Sequence, residues 1–544
     1  MTNAPHYPMF IDGEWVDSEA PLGVYSPSTE ELVATVACGT AEHANTAVAA
    51  AQAAHHRGDW RSMSPDQRAD ILDAMATHLA ARLDKLVRLE VLEAGVTIRQ
   101  AEAFHVGYAI GHLRYFANLA RTYPFESAVQ SRATSGVVRR EPVGVCAGIS
   151  PWNFPLLLAV WKLGPALAAG NTVVMKPDSQ TPLTLLELAR SAAECGLPRG
   201  VFNVVVGPGS IVGARLAEHP DVRKVAFTGS TEVGRSVMRA ASGNVKRVTL
   251  ELGGKGPNIV LDDANVDLAV DGALFAGWLH AGQACESGTR LLLPDSLHDE
   301  FVDRMIARAQ TVRIGDPLDP ATDMGPVISA KQQASIEAYV ESGVREGATL
   351  AYEGRLPDEP GLQKGHWVAP TIFTDVRSDM RIAREEIFGP VISVLRYSDQ
   401  DEAVAIANDT EYGLSAGVWS TDVDRARSIA DRLEAGTVWV NDWHMVNCRY
   451  PFGGYKQSGL GRELGPDALD EYTEQKFIHL GLWDKRTRRA HAMLLSTSPN
   501  DAHQAFSTGL SPIGPEEPSS SSKESTIRHC PSRAATRDIN RSAG

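Results

Sequence analysis

The chain has few cysteines, and none of them is spaced for metal binding. Its 544 residues include only 6 cysteines, and no two of them form a CxxC motif. Zinc modules and secreted disulfide scaffolds both need denser, more regular cysteines. We therefore predict no metal site and no disulfide framework, and we expect a reducing cytoplasm as the compartment. The six are Cys38, Cys146, Cys195, Cys285, Cys448 and Cys530.

The chain also lacks a long hydrophobic run and an excess of basic residues. Its most apolar window, 154–169, is interrupted by Lys162, Gly164 and Pro165 and is too short to span a bilayer. No N-terminal stretch has the basic region, apolar core and cleavage site of a secretory signal. The formal net charge of −15 argues against nucleic acid or an anionic membrane as the main partner. We expect a cytoplasmic protein with neither partner.

What the chain does have is the length and composition of several packed domains. It is 43% hydrophobic and 22% charged, which is typical of globular proteins. At 544 residues it is too long for one core. From about residue 485 the composition changes, with few large apolar residues and a proline–serine run at 518–522. We expect this tail, 485–544, to be disordered.

Local patterns predict alternating helices and strands. Asp12-Gly13 between apolar runs predicts a hairpin turn. Ser64-Pro65-Asp66-Gln67 predicts the capped start of one long helix that runs to about Gly95. Between residues 143 and 260, short apolar strands alternate with helical segments, which indicates a doubly wound parallel sheet. The predicted strands are 143–149, 172–175, 201–206, 224–227 and 247–250.

Polar residues and glycines follow the C-terminal ends of these strands. Open α/β sheets bind their ligands at that edge, because the loops that leave it converge on one crevice. We therefore predict a ligand site there, independently of any family pattern. The residues concerned are Trp152, Asn153, Lys176, Gly207, Gly229, Ser230 and Glu251.

Two short motifs carry candidate chemistry. Cys285 lies in the stretch 282–290, Gly-Gln-Ala-Cys-Glu-Ser-Gly-Thr-Arg, between a helical pattern that ends near His280 and an apolar run. Glu251 opens Glu-Leu-Gly-Gly-Lys at 251–255, directly after an apolar strand. A thiol and a carboxylate on separate glycine-rich loops suit acyl transfer through a thioester. A free cysteine is more often a small core residue, but its motif favours the catalytic interpretation here.

These motifs resemble the two signatures of the NAD(P)-dependent aldehyde dehydrogenase superfamily, and the resemblance extends from about residue 10 to residue 480. It implies an aldehyde dehydrogenase-like α/β fold with a Rossmann-type NAD(P)-binding domain at 1–121 and 142–252. A second α/β domain, 253–471, would be catalytic, and 122–141 with 472–482 would form a small β oligomerisation arm. The implied reaction converts an aldehyde, NAD(P)⁺ and water to a carboxylic acid in a homodimer or homotetramer.

By this resemblance, three residues would carry the reaction. Cys285 would attack the aldehyde carbon to give a thiohemiacetal, and a thioester would remain after hydride transfer. Glu251 would be the general base for the thiol and for the water that hydrolyses the thioester. The side-chain amide of Asn153, with the backbone N–H of Cys285, would bind the oxyanion. Taken alone, an asparagine near a helix start is also a common cap.

The resemblance also assigns the cofactor residues. Lys176 would contact the adenosine ribose, and the glycine turn 227–230 would lead into a helix whose N-terminus favours the pyrophosphate. Glu386 and Phe388 would hold the nicotinamide ribose and ring. NAD-preferring members typically have a glutamate where this chain has Ser179, so NAD and NADP both stay open. The predicted cofactor residues are Trp152, Lys176, Ser179, Gly207, Gly229, Ser230, Glu386 and Phe388.

Motif position further predicts an apolar substrate tunnel, whose residues could alternatively be simple core. It implies a largely apolar aliphatic or aromatic aldehyde as the small-molecule partner. Glu286, beside the nucleophile, would either repel carboxylated semialdehydes or point into solvent, whereas Arg449 favours such substrates. Glu463 matches a family acid near the water path, and Glu474 matches an interface acid. The predicted tunnel residues are Phe154, Leu158, Trp161, Val446 and Phe452.

Three other functions stay open from the sequence. A CoA-acylating aldehyde dehydrogenase would pass the acyl group to coenzyme A, but that chemistry has no need of a hydrolytic base such as Glu251. A catalytically silent structural member of the fold is disfavoured by the full set Asn153, Glu251 and Cys285. A cysteine hydrolase without a redox role would cleave esters and would not bind NAD(P)⁺.

Overall fold

The computed structural model describes residues 4–130, 134–481, 492–495 and 500. Sixteen α-helices occur among these residues, and a π-helical segment, Ala101–Gly107, precedes the fifth. In chain order, α1 to α16 are Ala41–Arg57, Pro65–Ala80, Leu83–Ala94, Ile98–Gln100, Tyr108–Thr122, Pro155–Ala168, Leu183–Glu194, Ala214–Glu218, Thr231–Ala241, Val266–Trp278, His298–Ala309, Ala330–Arg345, Arg381–Arg384, Gln400–Asn408, Val423–Ala430 and Ala492–Leu495.

Twenty-one β-strands occur in the same residues and form four sheets. In chain order, β1 to β21 are His6–Tyr7, Met9–Ile11, Glu14–Val16, Pro21–Tyr25, Leu32–Ala37, Glu126–Gln130, Thr134–Pro142, Val145–Ile149, Thr172–Lys176, Phe202–Val204, Lys224–Thr228, Arg247–Glu251, Pro257–Val260, Arg290–Pro294, Thr349–Glu353, Thr371–Thr374, Val391–Tyr397, Ser415–Trp419, Thr437–Val440, Gly459–Leu460 and Thr473–Gly481.

The first large sheet has eight strands in the order β20-β12-β11-β8-β9-β10-β2-β3. The five from β12 to β10 are parallel, and β2, β3 and β20 add antiparallel edges. Every residue of β8, β9 and β11 is buried. Separate apolar clusters cover its two faces, one including helices α5, α6 and α7 and the other including α1 and α8. Burial of both faces explains why these strands are continuous apolar runs.

The second large sheet has seven strands in the order β15-β16-β17-β14-β13-β18-β19. Six are parallel, and β15 is an antiparallel edge. Its apolar cluster includes residues of α10, α11, α14 and α15. The Cys285 loop lies between α10 and β14, so the fold places the thiol at the junction of a helix and a central strand of this sheet.

Most predicted elements occur where the sequence placed them, with one clear correction. The five predicted parallel strands are β8 to β12, and Asp12 and Gly13 form the hairpin turn with φ values of 51° and 76°. The single long helix to Gly95 is wrong, because the chain leaves helical geometry at Arg82, with φ −116° and ψ 19°. Apolar residues recur at the same helical spacing in α2 and in α3, on either side of that turn. Gly95 does close α3, with φ 74°.

The described residues separate into two compact units, one of 4–125 and 139–476 and a second that includes 126–130, 134–138 and 477–481. The second unit contains β6 and those parts of β7 and β21 that fall within its ranges. The division into cofactor domain, catalytic domain and arm stays a prediction. The tail predicted from residue 485 lies outside the described residues, apart from 492–495 and 500. Within the described residues, no helix has the length and apolarity needed to cross a bilayer.

Candidate active site

A strained turn holds the loop that carries Cys285. Helix α10 ends at Trp278, and three consecutive residues then adopt positive φ: His280 at 50°, Ala281 at 53° and Gly282 at 72°. A side chain at Gly282 would meet the backbone oxygen of Gly389 at 2.2 Å, so only glycine fits. Non-glycine residues in this conformation cost about 1–2 kcal/mol each, which the surrounding packing must offset. The turn redirects the chain so that Cys285 faces a cleft.

Hydrogen bonds fix this loop from two sides. The side chain of Gln283 accepts from the backbone N–H of Ile328 at 2.9 Å and donates to the His280 carbonyl at 3.0 Å. The Asn153 amide nitrogen donates to the Gln283 carbonyl at 2.8 Å. Asn153 follows β8 in the first sheet, so this bond connects the loop of one sheet to the edge of the other. Its second amide hydrogen stays available for an oxyanion beside Cys285.

Glu251, the last residue of β12, faces the thiol. Its Oε2 lies 3.6 Å from the Cys285 Sγ, and its Oε1 has no hydrogen-bond partner although it is buried. Burial, followed by the nearby Glu463 carboxylate, raises the pKa of Glu251 well above its usual value, while Lys162 opposes the shift. An unpartnered buried oxygen is costly unless a ligand or water uses it. This oxygen is therefore placed to bind a water near the sulfur.

The thiol itself is held protonated. Burial is the largest cause that raises the pKa of Cys285 well above its usual value, followed by the carboxylates of Glu251 and Glu286. A more distant carboxylate, Glu386, acts in the same direction. A thiol must lose its proton to become a nucleophile, so this site needs a base within contact of the sulfur.

A cleft of about 230 Å³ opens on one side of Cys285. Its walls include the predicted residues Trp152, Asn153, Gly229, Ser230, Glu251, Glu386 and Phe388. Five further lining residues were not among the predicted site residues: Pro151, Thr228, Leu252, Gly253 and Gln332. The Gln332 side chain donates to the Phe388 carbonyl at 2.9 Å and so supports Phe388, whose φ is 56°. No motif marks Gln332, because it lies in the unrelated helix α12.

The remaining predicted cofactor residues form a second group, outside the walls of that cleft. Lys176 ends β9 and is buried. The Ser179 hydroxyl donates to the carbonyl of Gly207 at 3.0 Å, so these two lie together beyond the ends of β9 and β10. The members of both groups that follow β8 to β12 lie at the C-terminal edge of that parallel sheet, whereas Glu386 and Phe388 precede β17 of the second sheet.

A smaller apolar cavity of about 30 Å³ reaches Cys285 from the other side. All five predicted tunnel residues line it, namely Phe154, Leu158, Trp161, Val446 and Phe452. No sequence motif marks Phe104, Tyr108, Leu157, Leu279 or His444, which also line it. Phe104 belongs to the π-helical segment and Tyr108 starts α5, so only tertiary packing brings them here.

The structure decides between the two alternatives left open for Glu286 and locates three other charged side chains discussed from the sequence. Glu286 does not point into solvent: it is buried, and it contacts both Cys285 and His444. Arg449 is exposed and does not line the tunnel. Glu474 forms a two-bond ion pair with Arg247 of the same chain, at 2.9 and 2.8 Å. Glu463 forms an ion pair with Lys162 at 2.9 Å, and both charges act on the pKa of Glu251.

Comparison with known proteins identifies the family. A sequence model described as Aldehyde dehydrogenase family matches residues 15–478. The chain belongs to the aldehyde dehydrogenase family. A betaine aldehyde dehydrogenase of Bacillus subtilis (strain 168) is 46% identical over 475 residues, covering 87% of this chain and 96% of the relative. An aldehyde dehydrogenase of Emericella nidulans is 44% identical, covering 88% of this chain and 95% of the relative.

Solved structures agree with this aldehyde dehydrogenase fold. A betaine aldehyde dehydrogenase of Staphylococcus aureus in complex with NAD⁺ is 40% identical, with a TM-score of 0.85, covering 88% of this chain and 96% of that one. An NAD⁺ complex of an aldehyde dehydrogenase of Bacillus cereus is 41% identical, with the same TM-score, covering 88% and 97%. The predicted family, fold class and enzyme class are therefore confirmed. The activity of this family is oxidation of an aldehyde to the carboxylic acid with NAD or NADP.

The residues around the cleft of this aldehyde dehydrogenase have the chemistry that the pyrophosphate and nicotinamide end of a dinucleotide needs. Ser230 caps α9 by accepting from the Val233 N–H at 3.4 Å, and the N-terminus of this helix suits a pyrophosphate. The rings of Trp152 and Phe388 lie edge to face at 5.3 Å beside the thiol loop. The Glu386 carboxylate accepts from the Gly254 N–H at 3.1 Å, and a carboxylate at this position suits ribose hydroxyls.

Proposed function

We propose that this enzyme oxidises a largely apolar aldehyde, aliphatic or aromatic, to its acid through a thioester on Cys285. One observation carries the proposal: Cys285 lines both the cofactor-type cleft and the apolar cavity. A thiol between the two can bind an aldehyde carbon on one side and present it to a nicotinamide on the other. Proximity of this kind is a major source of rate enhancement.

The residues divide the steps between them. The Cys285 sulfur attacks the aldehyde carbon, and the free N–H of Asn153 and the Cys285 backbone bind the oxyanion, a contribution of about 2.7–4 kcal/mol per donor. When bound, NAD(P)⁺ supplies the acceptor for the hydride. Glu251, with its unpartnered Oε1, then holds the water that hydrolyses the thioester. Trp152, Glu386 and Phe388 orient the nicotinamide end of the cofactor.

The lining of the cavity supports the choice of an apolar substrate. Except for Cys285 and the Glu286–His444 pair, its walls are aromatic and aliphatic side chains. A carboxylate at Glu286, buried next to the reacting sulfur, disfavours an aldehyde that carries a second carboxylate, since like charges at this depth repel strongly. Arg449 offers no compensation, because it lies outside the cavity.

A cationic aldehyde is a second candidate substrate. Phe104, Tyr108, Phe154, Trp161 and Phe452 offer aromatic faces and edges in the cavity, and Glu286 adds a negative charge. Aromatic rings bind quaternary ammonium groups through cation–π attraction. Two of the relatives described above, those of Bacillus subtilis and Staphylococcus aureus, carry the name betaine aldehyde dehydrogenase. Betaine aldehyde and its uncharged tert-butyl isostere have the same shape, so their kcat/KM ratio isolates the contribution of the charge.

The decisive experiment is turnover with a panel of aldehydes. Formation of reduced nicotinamide from propanal, benzaldehyde, betaine aldehyde and its isostere is followed with NAD⁺ and NADP⁺ in parallel. Cys285→Ala abolishes turnover, whereas Cys146→Ala, which removes a buried thiol of β8 away from the site, retains it. Turnover that requires coenzyme A would establish the acylating reaction instead. Ester cleavage without NAD(P)⁺ binding would identify a hydrolase.

We also propose a cytoplasmic homodimer or homotetramer. The described cysteines Cys38, Cys146, Cys195, Cys285 and Cys448 are free, which agrees with a reducing compartment. The second unit exposes apolar side chains along its strands, including Val129, Phe477 and Leu480, and exposed apolar strands favour pairing with a second copy. Light scattering measures the mass of the wild-type oligomer and of the Leu480→Asp variant. Dissociation of the variant supports pairing of subunits through the predicted arm, and an unchanged mass contradicts it.

A further inference from the structure

A second carboxylate contacts the nucleophile. The Oε2 atom of Glu286 lies 3.3 Å from the Cys285 Sγ, closer than the 3.6 Å of Glu251. We propose that Glu286, held in place by His444, takes the proton from the Cys285 thiol, and that Glu251 serves only the later hydrolysis. The proposal deepens the function given above and rests on it. In this division of labour, two carboxylates on opposite sides of one sulfur carry out different proton transfers.

The position of Glu286 is fixed through both its backbone and its side chain. Its carbonyl accepts hydrogen bonds from the Ser415 hydroxyl and from the Trp443 indole, each at 2.9 Å. Its Oε1 pairs with the Nδ1 of His444 at 2.9 Å. The side chain of Glu286 is buried, with 9% of its surface exposed. The second oxygen, Oε2, is thereby directed at the sulfur and has little freedom to turn away.

His444 fixes the number of protons in the pair. Its Nε2 lies 3.2 Å from the Ala276 carbonyl, which can only accept, so this nitrogen carries a proton. The contact between Nδ1 and Glu286 then needs a second proton. An imidazolium beside a carboxylate satisfies both contacts and leaves Oε2 as a free acceptor for the thiol. The His444 ring is buried against Phe275, at 5.2 Å between ring centres, so it cannot swing to another partner.

The charges around the sulfur distinguish the two carboxylates. Although burial opposes ionisation, hydrogen bonding and charge from His444 hold the pKa of Glu286 below its usual value, so it is ionised and able to accept. Burial, followed by the Glu463 carboxylate, instead raises the pKa of Glu251, so Glu286 is the more readily ionised of the two carboxyl groups that contact the sulfur. The groups that face this pair from neighbouring elements are His444, Glu251, Glu386, Glu463 and Lys162.

The proposed step balances without any further reactant. The S–H bond of Cys285 breaks, and its proton moves to Oε2 of Glu286. The sulfur electron pair forms the S–C bond with the aldehyde carbon, and the carbonyl π electrons move to the oxygen. The imidazolium of His444 remains protonated and stabilises the negative charge that the sulfur carries during the transfer. Glu286 is the catalytic residue in this step, and His444 is a positioning residue.

The test measures reactivity of the thiol without aldehyde or cofactor. The full-length protein is alkylated with iodoacetamide at a series of pH values, and the modified Cys285 peptide is quantified by mass spectrometry. With an internal base, the wild-type rate is independent of pH between about pH 6 and 8. Glu286→Gln loses this plateau: its rate rises about tenfold per pH unit and, at about pH 6, falls at least tenfold below wild type.

Two further variants make the test specific. Glu251→Gln keeps the plateau, because Glu286 and not Glu251 accepts the thiol proton. His444→Gln moves the acid limb of the profile to higher pH, because Glu286 loses the partner that keeps it ionised; a merely structural role would not move this limb. A plateau that survives in Glu286→Gln, or one that is lost in Glu251→Gln, overturns the proposal. If Glu286→Gln does not fold, the Glu251→Gln and His444→Gln profiles decide it. Failure of the aldehyde panel would be a separate result, because this assay uses neither aldehyde nor NAD(P)⁺.

Discussion

Replacement of Glu251 by glutamine separates the two halves of the reaction. The substitution keeps the shape and the Oε1 position but removes the basic carboxylate. In the structure this carboxylate is buried, 3.6 Å from the sulfur through one oxygen and unpartnered at the other. Loss of a general base typically costs about 10²–10⁴ in rate, or about 2.7–5.5 kcal/mol. We expect kcat to fall by this factor for Glu251→Gln.

The first turnover behaves differently from the later ones. Because Glu286 serves the thiol, Glu251→Gln still forms the thioester, and a burst of reduced nicotinamide close to the enzyme concentration precedes the slow steady state. The raised pKa of Glu251 means that wild-type hydrolysis accelerates as the pH rises through that pKa. The variant lacks this pH dependence. Rapid mixing measures the burst, and mass spectrometry of quenched enzyme measures the acyl group on Cys285.

A matched variant controls for the loss of a buried carboxyl group. Glu93 is fully buried away from the cleft, and burial with the neighbouring Glu90 raises its pKa to about 8, so it is largely protonated at neutral pH. Glu93→Gln therefore retains kcat and the pH profile. Impaired turnover of Glu251→Gln without any adduct on Cys285 would refute the assignment of Glu251 to hydrolysis.

Three other substitutions give separable outcomes. Ser179→Glu lowers the ratio of kcat/KM for NADP⁺ to that for NAD⁺ by at least about tenfold, because the new carboxylate repels the 2′-phosphate; an unchanged ratio would show that this position does not face the ribose. Burial raises the pKa of Glu386 to about 7, so calorimetry finds NAD⁺ binding tighter as the pH rises from about 6 to 8, and Glu386→Gln removes that slope. Lys255 has a buried, unpartnered amine whose pKa burial lowers from 10.5 to about 7. Between about pH 7 and pH 10.5 the unfolded chain therefore binds more protons than the folded protein, so the free energy of unfolding rises with pH across this range. Lys255→Met flattens the rise and adds up to about 5 kcal/mol to the unfolding free energy at pH 7, measured by denaturant titration.

The sequence predicted those parts of the fold whose signals are local. Buried parallel strands are continuous apolar runs, and the residues after them, such as Asn153 and Glu251, mark the ligand edge by position alone. The break between α2 and α3 was missed, because the turn at Arg82 leaves the apolar spacing intact. Helical periodicity reports which face is buried and does not report a change in axis direction.

The site was predictable where residues share a motif and not where distant segments meet. The sequence identifies Cys285 and its neighbours, but His444 reaches Glu286 across 158 residues. Phe104 and Tyr108 join the cavity from the helices that precede β6. Such contacts depend on the packing of helices against the two sheets, which no local pattern encodes. The direction of the Glu286 side chain was open for the same reason.

The crowding of carboxylates around the resting thiol has a consequence for the durability of the enzyme. Peroxide attacks thiolates, and cysteines with depressed pKa values are the ones that oxidise to sulfenic acid. Burial and the carboxylates of Glu251, Glu286 and Glu386 instead raise the pKa of Cys285. We therefore expect Cys285 in the resting enzyme to oxidise more slowly than a cysteine whose pKa is depressed.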